Sequence, residues 1–150
     1  MSKGALAGVR VLDLSRVLAG PSCTQLLGDL GAEVIKVERP QVGDETRTWG
    51  PPYVQGPNQQ DTTESGYYLS CNRNKRSVTV DMSKPEGLAL IKRLVATSDV
   101  FIENFKVGGL KKLGLGHDDL LKDFPRLVFS ALTMKKKIVD VPTNVIFDSR

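Results

Sequence analysis

Apolar and polar positions along the chain alternate in two different rhythms. Five short runs rich in Val, Leu, Ile and Phe stand at 9–15 (VRVLDLS), 32–38 (AEVIKVE), 76–82 (RSVTVDM), 99–105 (DVFIENF) and 126–132 (RLVFSAL). Their length and their bounding Gly, Pro and charged residues predict strands. Helical signals lie between them. GPSCTQLLGDLG offers Pro21 for a first turn and Gly31 for the left-handed residue just past the end. GLALIKRLVATS carries Leu88, Ile91, Leu94 and Val95 on one helical face. Ahead of it SKPE predicts a capped start, with Ser83 as N-cap and Glu86 three residues later. GGLKKLGLG predicts one helical turn between glycines, and HDDLLKDF a short helix with acids at its start, closed by Pro125.

Strands alternating with helices predict an α/β domain with a mostly parallel sheet and flanking helices. Residues 40–74 break the rhythm. Pro40, Pro51, Pro52 and Pro57 with interspersed Gly mark a long irregular excursion, within which YYL (67–69) predicts a brief ordered turn. The last segment, TMKKKIVDVPTNVIFDSR, holds no helical or strand pattern of useful length and reads as an irregular tail.

Composition narrows the function classes. The chain has 150 residues, 40% hydrophobic and 25% charged, as expected for one ordinary globular domain. No window approaches 18 uncharged apolar residues, so no membrane partner is expected. MSKGALAG is too short and weakly apolar for a secretory signal, and no mitochondrial presequence is visible. Cys23 and Cys71 are the two cysteines, which fits a reducing compartment. One histidine and no CxxC give no zinc site, and no metal is expected. The net charge of +4 owes much to Lys135–Lys137, so no nucleic-acid partner is expected.

In open parallel sheets ligands bind beyond the carboxyl ends of the strands. Those positions hold Ser15, Arg16, Val17, Leu18 and Ala19; Arg39; Asp81, Met82 and Ser83; and Asn104, Phe105 and Lys106, with Lys111 and Lys112 shortly beyond. Cations beside apolar side chains suit a phosphorylated ligand that carries an aromatic base. Each residue alone also has an ordinary structural role: a solvated arginine, a core plug at Phe105, a surface or capping histidine at His117. Glu38 reads equally as a ribose ligand or a surface acid. Asp13, inside the first strand, reads as structural, and Cys23 as a packed small residue. The first turn, SRVLAGPS, lacks the glycines of a dinucleotide site, which argues against an NAD oxidoreductase.

GVRVLDLSRVLAGPSCTQLLGDLGAEVIKVERP resembles the opening of the class III CoA-transferases. So do GDETRTWGPP, NRNKRSVTVDMSKPEG, DVFIENFKVGGLKKLGLG and FPRLVFSAL, in the family's order over residues 8 to about 133. TRTWGPP with YYLSCNRNK looks most like the succinate–glutarate (hydroxymethylglutarate) branch. The resemblance implies a Rossmann-like CoA-binding region over 1–133, the N-terminal portion of a larger interlocked-dimer fold, followed by a divergent basic tail over 134–150.

It also implies CoA contacts at Val17, Leu18, Ala19, Arg39, Val80, Asp81, Met82, Ser83, Asn104, Phe105, Lys106 and Lys112. CoA or acyl-CoA would be substrate rather than a tightly bound cofactor, and a small dicarboxylic acid the second substrate. The implied compartment is mitochondrial for a eukaryotic glutarate-type enzyme and cytoplasmic otherwise. The family's nucleophile is an aspartate downstream of the fifth strand; the resemblance assigns no catalytic residue here, to neither Asp140 nor Asp148. The alternative is a non-catalytic CoA- or nucleotide-binding module that pairs with a full-length partner. Two departures from the family pattern stand out: Val107 replaces a usual proline, and similarity stops after Thr133.

Overall fold

The computed structural model describes residues 4–132; the expected tail at 134–150 lies outside the described residues. The elements are β1 (Arg10–Asp13), α1 (Ala19–Asp29), β2 (Glu33–Glu38), β3 (Tyr53–Gln55), β4 (Asp61–Ser65), α2 (Gly66–Ser70), β5 (Lys75–Thr79), α3 (Pro85–Val95), β6 (Val100–Glu103), α4 (His117–Asp123) and β7 (Val128–Ala131). All five expected strands form. They make one parallel sheet in the order β5-β2-β1-β6-β7. The chain therefore steps outward from β1 to β5, then returns to lay β6 and β7 on the other side of β1.

Side chains alternate across each strand, so the sheet carries a different core on each face. Leu12, Val37, Phe101 and Phe129 point to one side, where Ile91 and Val95 of α3 and Leu120 of α4 close over them. The expected face of α3 is the buried one. Val11, Val34 and Ile102 point the other way with Ala32, against Leu27 of α1. Gly31 takes the expected left-handed backbone after α1, at φ +102°. Gly20 lets α1 begin hard against the preceding loop, since a Cβ there would lie 2.3 Å from that of Ser15.

The expected cap of α3 is corrected. The helix starts at Pro85 with Lys84 at the cap position and no side-chain cap. A residue before proline is pushed out of the helical region, and Lys84 is extended at φ −105°, ψ 143°. Ser83 thus sits one residue too early and instead donates from Oγ to Asp81 Oδ1 at 2.6 Å. Ser83→Ala is expected to change stability by less than about 0.5 kcal/mol, against the ~1 kcal/mol of a true N-cap loss. A larger drop in urea midpoint would contradict this assignment.

The excursion between β2 and β5 is more ordered than its Pro and Gly content suggests. Asp44 caps a single helical turn, Glu45–Thr48. β3 and β4 pair as a small antiparallel hairpin, and Ser65 caps α2, the turn expected around YYL.

Candidate functional site

The carboxyl ends of β1, β2 and β6 meet at the reversal of strand order, where one cavity opens, and a second opens beside it at the ends of β2 and β5. The inner one, about 240 Å³, is lined by Leu14, Arg16, Lys36, Val37, Glu38, Arg39, Gly43, Asp44, Met82 and Phe105. The outer one, about 520 Å³, lies between the residues after β2, from Arg39 to Val42, and those after β5, Val80, Asp81, Met82 and Lys84. Arg39 and Met82 line both. A cation and an apolar thioether at the join of a larger and a smaller cavity suit an extended ligand with both charged and greasy parts.

Beneath this edge, on the α1 side of the sheet, lies a set of buried charges. Lys36 has no exposed surface and donates from Nζ to the Ser15 carbonyl at 2.9 Å and to Asp44 Oδ2 at 3.0 Å. Asp44 also accepts from Thr46, both N–H and Oγ1, and faces the Val17 N–H. Burial alone would raise the Asp44 pKa, but the Thr46 N–H and the Lys36 ammonium bring it below its ordinary value. Asp13 accepts from Ser15, Thr24 and the Lys75 ammonium, so its expected structural role holds.

Glu38 is not a surface acid, and its carboxylate is occupied by donors from the protein itself. It is 5% exposed and takes a two-pronged bond from Arg47, with further donors in Ser77, Tyr68 and the Asp44 N–H. Burial pushes its pKa up, yet Arg47, Ser77 and the other donors outweigh that and hold it at about 2. The same burial and the Glu38 charge push the Tyr68 phenol well above its usual value. The Arg47 guanidinium also lies over the Tyr68 ring, 3.8 Å from its centroid.

The expected contact residues divide into groups. Arg39, Val80, Asp81 and Met82 come together at the outer cavity, and Arg39, Met82 and Phe105 at the inner one. Asn104 supports the inner cavity indirectly. Its side chain accepts from the Arg16 N–H at 2.9 Å and donates to the Arg16 carbonyl at 2.7 Å. Val17 holds a left-handed backbone, φ 72°, an uncommon state for a β-branched residue that often marks a functional turn. The buried Cys71 thiol reaches its carbonyl at 3.6 Å. Leu18 and Ala19 are exposed at the start of α1, and Ser83, Lys106 and Lys112 are exposed and line neither cavity.

Other sequence expectations shift too. Cys23 is exposed rather than packed, and partial burial of its thiol, with the nearby Asp13 charge, raises its pKa. Gly116 takes the cap position before α4, while His117 rests edge-on against Phe129 at 5.5 Å between centroids. Arg16 is half-buried rather than a free surface group: it pairs with Glu45 and lies 5.3 Å from the Phe105 ring centroid. Lys36 and Asp44 were not expected at all. A lysine in the middle of EVIKVE, a strand otherwise built to be covered, is the signal that could have found the pair.

An open, doubly wound parallel sheet with a partly cationic, partly apolar cleft at its carboxyl edge is an α/β architecture whose ligands bind beyond the strand ends. The family model described as CoA-transferase family III matches residues 6–134, and the chain belongs to that family. It is 54% identical over 128 residues to succinyl-CoA:glutarate CoA-transferase of Homo sapiens, covering 85% of this chain and 28% of that protein. It is 50% identical over 131 residues to succinate–glutarate CoA-transferase of Agrobacterium fabrum, covering 87% and 32%. Among solved structures, a CAIB/BAIF family protein from Brucella suis superposes with TM-score 0.80 at 48% identity, over 88% of this chain and 34% of that one. The chain thus spans about a third of the length of the relatives it matches.

Proposed function

We propose that this chain is the CoA-recognising N-terminal region of an enzyme that moves CoA between dicarboxylic acids, of the succinyl-CoA to glutarate or hydroxymethylglutarate type. The observation that carries the reading is the joined pair of cavities at the carboxyl edge of the sheet, with Arg39 and Met82 shared between them. Arg39 suits the phosphates of CoA, and Met82 with Val80 suits its adenine ring.

In the reaction proposed for the whole enzyme, an aspartate carboxylate attacks the thioester carbonyl, the C–S bond breaks, and CoA leaves as thiolate. The incoming carboxylate attacks the acyl carbonyl of the resulting mixed anhydride and frees the aspartate. CoA thiolate then attacks the new acid's own carbonyl in the free anhydride, so the new thioester forms and the first acid leaves as its carboxylate. The 150-residue chain is proposed to bind the thioester without turning it over. Among the described residues, Asp13, Glu38 and Asp44 at this edge are each held in buried ion pairs, which suits support rather than attack. A homodimer is part of the same proposal.

Thermal unfolding tests the reading. CoA at 100 times its dissociation constant is expected to stabilise the chain by about 2.7 kcal/mol, a rise of several degrees, while NAD has no effect. Arg39→Ala should remove most of the shift. A cooperative transition that CoA does not move would overturn the proposal for the isolated chain.

A further inference from the structure

Arg16 and Glu45 form a pair that the buried network does not require. Arg16 Nη1 lies 2.5 Å from Glu45 Oε1, and Arg39 Nη2 approaches the same oxygen at 3.9 Å. Glu45 therefore stands between the two arginines that border the inner cavity. The arrangement is only half satisfied. Arg16 Nε and Glu45 Oε2 are buried without a hydrogen-bond partner among the described residues, a costly state for charged groups. The guanidinium itself is well oriented: Phe105 lies against it, and Asn104 grips its backbone from both sides. A fixed, planar donor fork with an unused N–H is built to take an oxyanion in two-pronged fashion.

Resting on the CoA reading above, we propose that Arg16 is a ligand-reading residue whose place is filled in the free chain by the carboxylate of Glu45, and that an oxyanion of the bound thioester displaces Glu45. Glu45 suits a displaceable role. Its side chain is 37% exposed and that of Arg16 34%, so the pair is partly solvated and separates at modest cost. The neighbouring Lys36–Asp44 pair, with both side chains at 0%, is fixed by contrast. Two oxyanions on the ligand fit the site chemically: a phosphate of CoA, or the free carboxylate of a dicarboxylic acyl group.

The test is calorimetric binding to the full 150-residue chain, with CoA, butyryl-CoA and glutaryl-CoA as probes. Glu45→Gln is expected to tighten binding about tenfold and Arg16→Gln to weaken it by a similar factor, the scale of one charge-assisted contact. The double variant decides the mechanism, because a gain that runs through Arg16 vanishes when Arg16 is gone. A gain kept in the Arg16→Gln background reflects bulk charge and overturns the proposal, as does a Glu45→Gln variant that binds no better than the parent. Arg16→Lys, which keeps the charge but loses the fork, should recover only part of the affinity. If the gain appears with all three probes the oxyanion is phosphate; if with glutaryl-CoA alone it is the acyl carboxylate. A parent chain that binds none of the three sinks the CoA reading itself, a result distinct from unchanged affinity in the variants.

Discussion

Replacing Asp44 with alanine is expected to cost this chain about 3–5 kcal/mol of folding stability, because it strands a buried ammonium. Lys36 and Asp44 are both fully enclosed, and Lys36 has one further acceptor, the Ser15 carbonyl. Without the carboxylate, the lysine keeps its charge in a medium that cannot solvate it, or gives up its proton. The loss spreads to the backbone. Asp44 caps the Glu45–Thr48 turn and faces the Val17 N–H, so it holds both the turn carrying Glu45 and the strained left-handed Val17. Urea unfolding checks the size of the loss. A second substitution, Lys36→Met, made in the Asp44→Ala background should recover much of it, since an apolar side chain of similar length needs no counter-ion. An Asp44→Ala variant with the parent's midpoint, or a double variant no more stable than the single, would show that the pair is not what holds this edge.

The parallel sheet and its helices were legible because apolar runs of strand length, spaced by helical patterns, have few other ways to be buried. Val11 and Leu12 face opposite cores, and a strand covered on both faces reads as a continuous apolar run. The polar edge was harder to read because its partners are distant in sequence. Glu38 is satisfied by Arg47, Tyr68 and Ser77, the last of them 39 positions away. Nothing local in VERP announces that closure, so a ribose ligand and a surface acid looked equal. The hairpin β3–β4 escaped notice because its strands are three and five residues long and largely polar. Ser83 misled for a stereochemical reason: the capping pattern was present, but Pro85 moved the helix start past it.

The two sheet faces therefore do different work. The α3–α4 side is apolar and supplies burial. The α1 side turns polar toward the strand ends, where Asp13, Lys36 and Glu38 succeed Val11 and Val34 on the same face. The buried pairs there hold the Glu45–Thr48 turn and the turn after β1, beside the two cavities. Stiffness under a cleft reduces the ordering cost of binding.

The same edge should set the acid limit of the fold. Glu38 sits at about 2 in the folded chain against an ordinary 4.5. Its stabilisation is therefore complete above pH 4.5 and disappears as pH falls from 4.5 toward 2, because protonation in the folded state forfeits the Arg47 pair. That shift corresponds to on the order of 3 kcal/mol at neutral pH. Asp44, also held below its ordinary value, loses stability in the same direction. Glu38→Gln removes the larger contribution. The variant should be weaker than the parent by on the order of 3 kcal/mol at pH 7, and the gap should close as pH falls through 4 toward 2. Its acid limb should be shallower but not flat, since Asp44 still titrates. Urea midpoints for both proteins at pH 7, 5, 4 and 3 read this directly. Two curves that run parallel through that range would place the acid sensitivity elsewhere and leave Glu38 as a packing residue; converging curves would tie the acid limit of this domain to the carboxylate beneath its cleft.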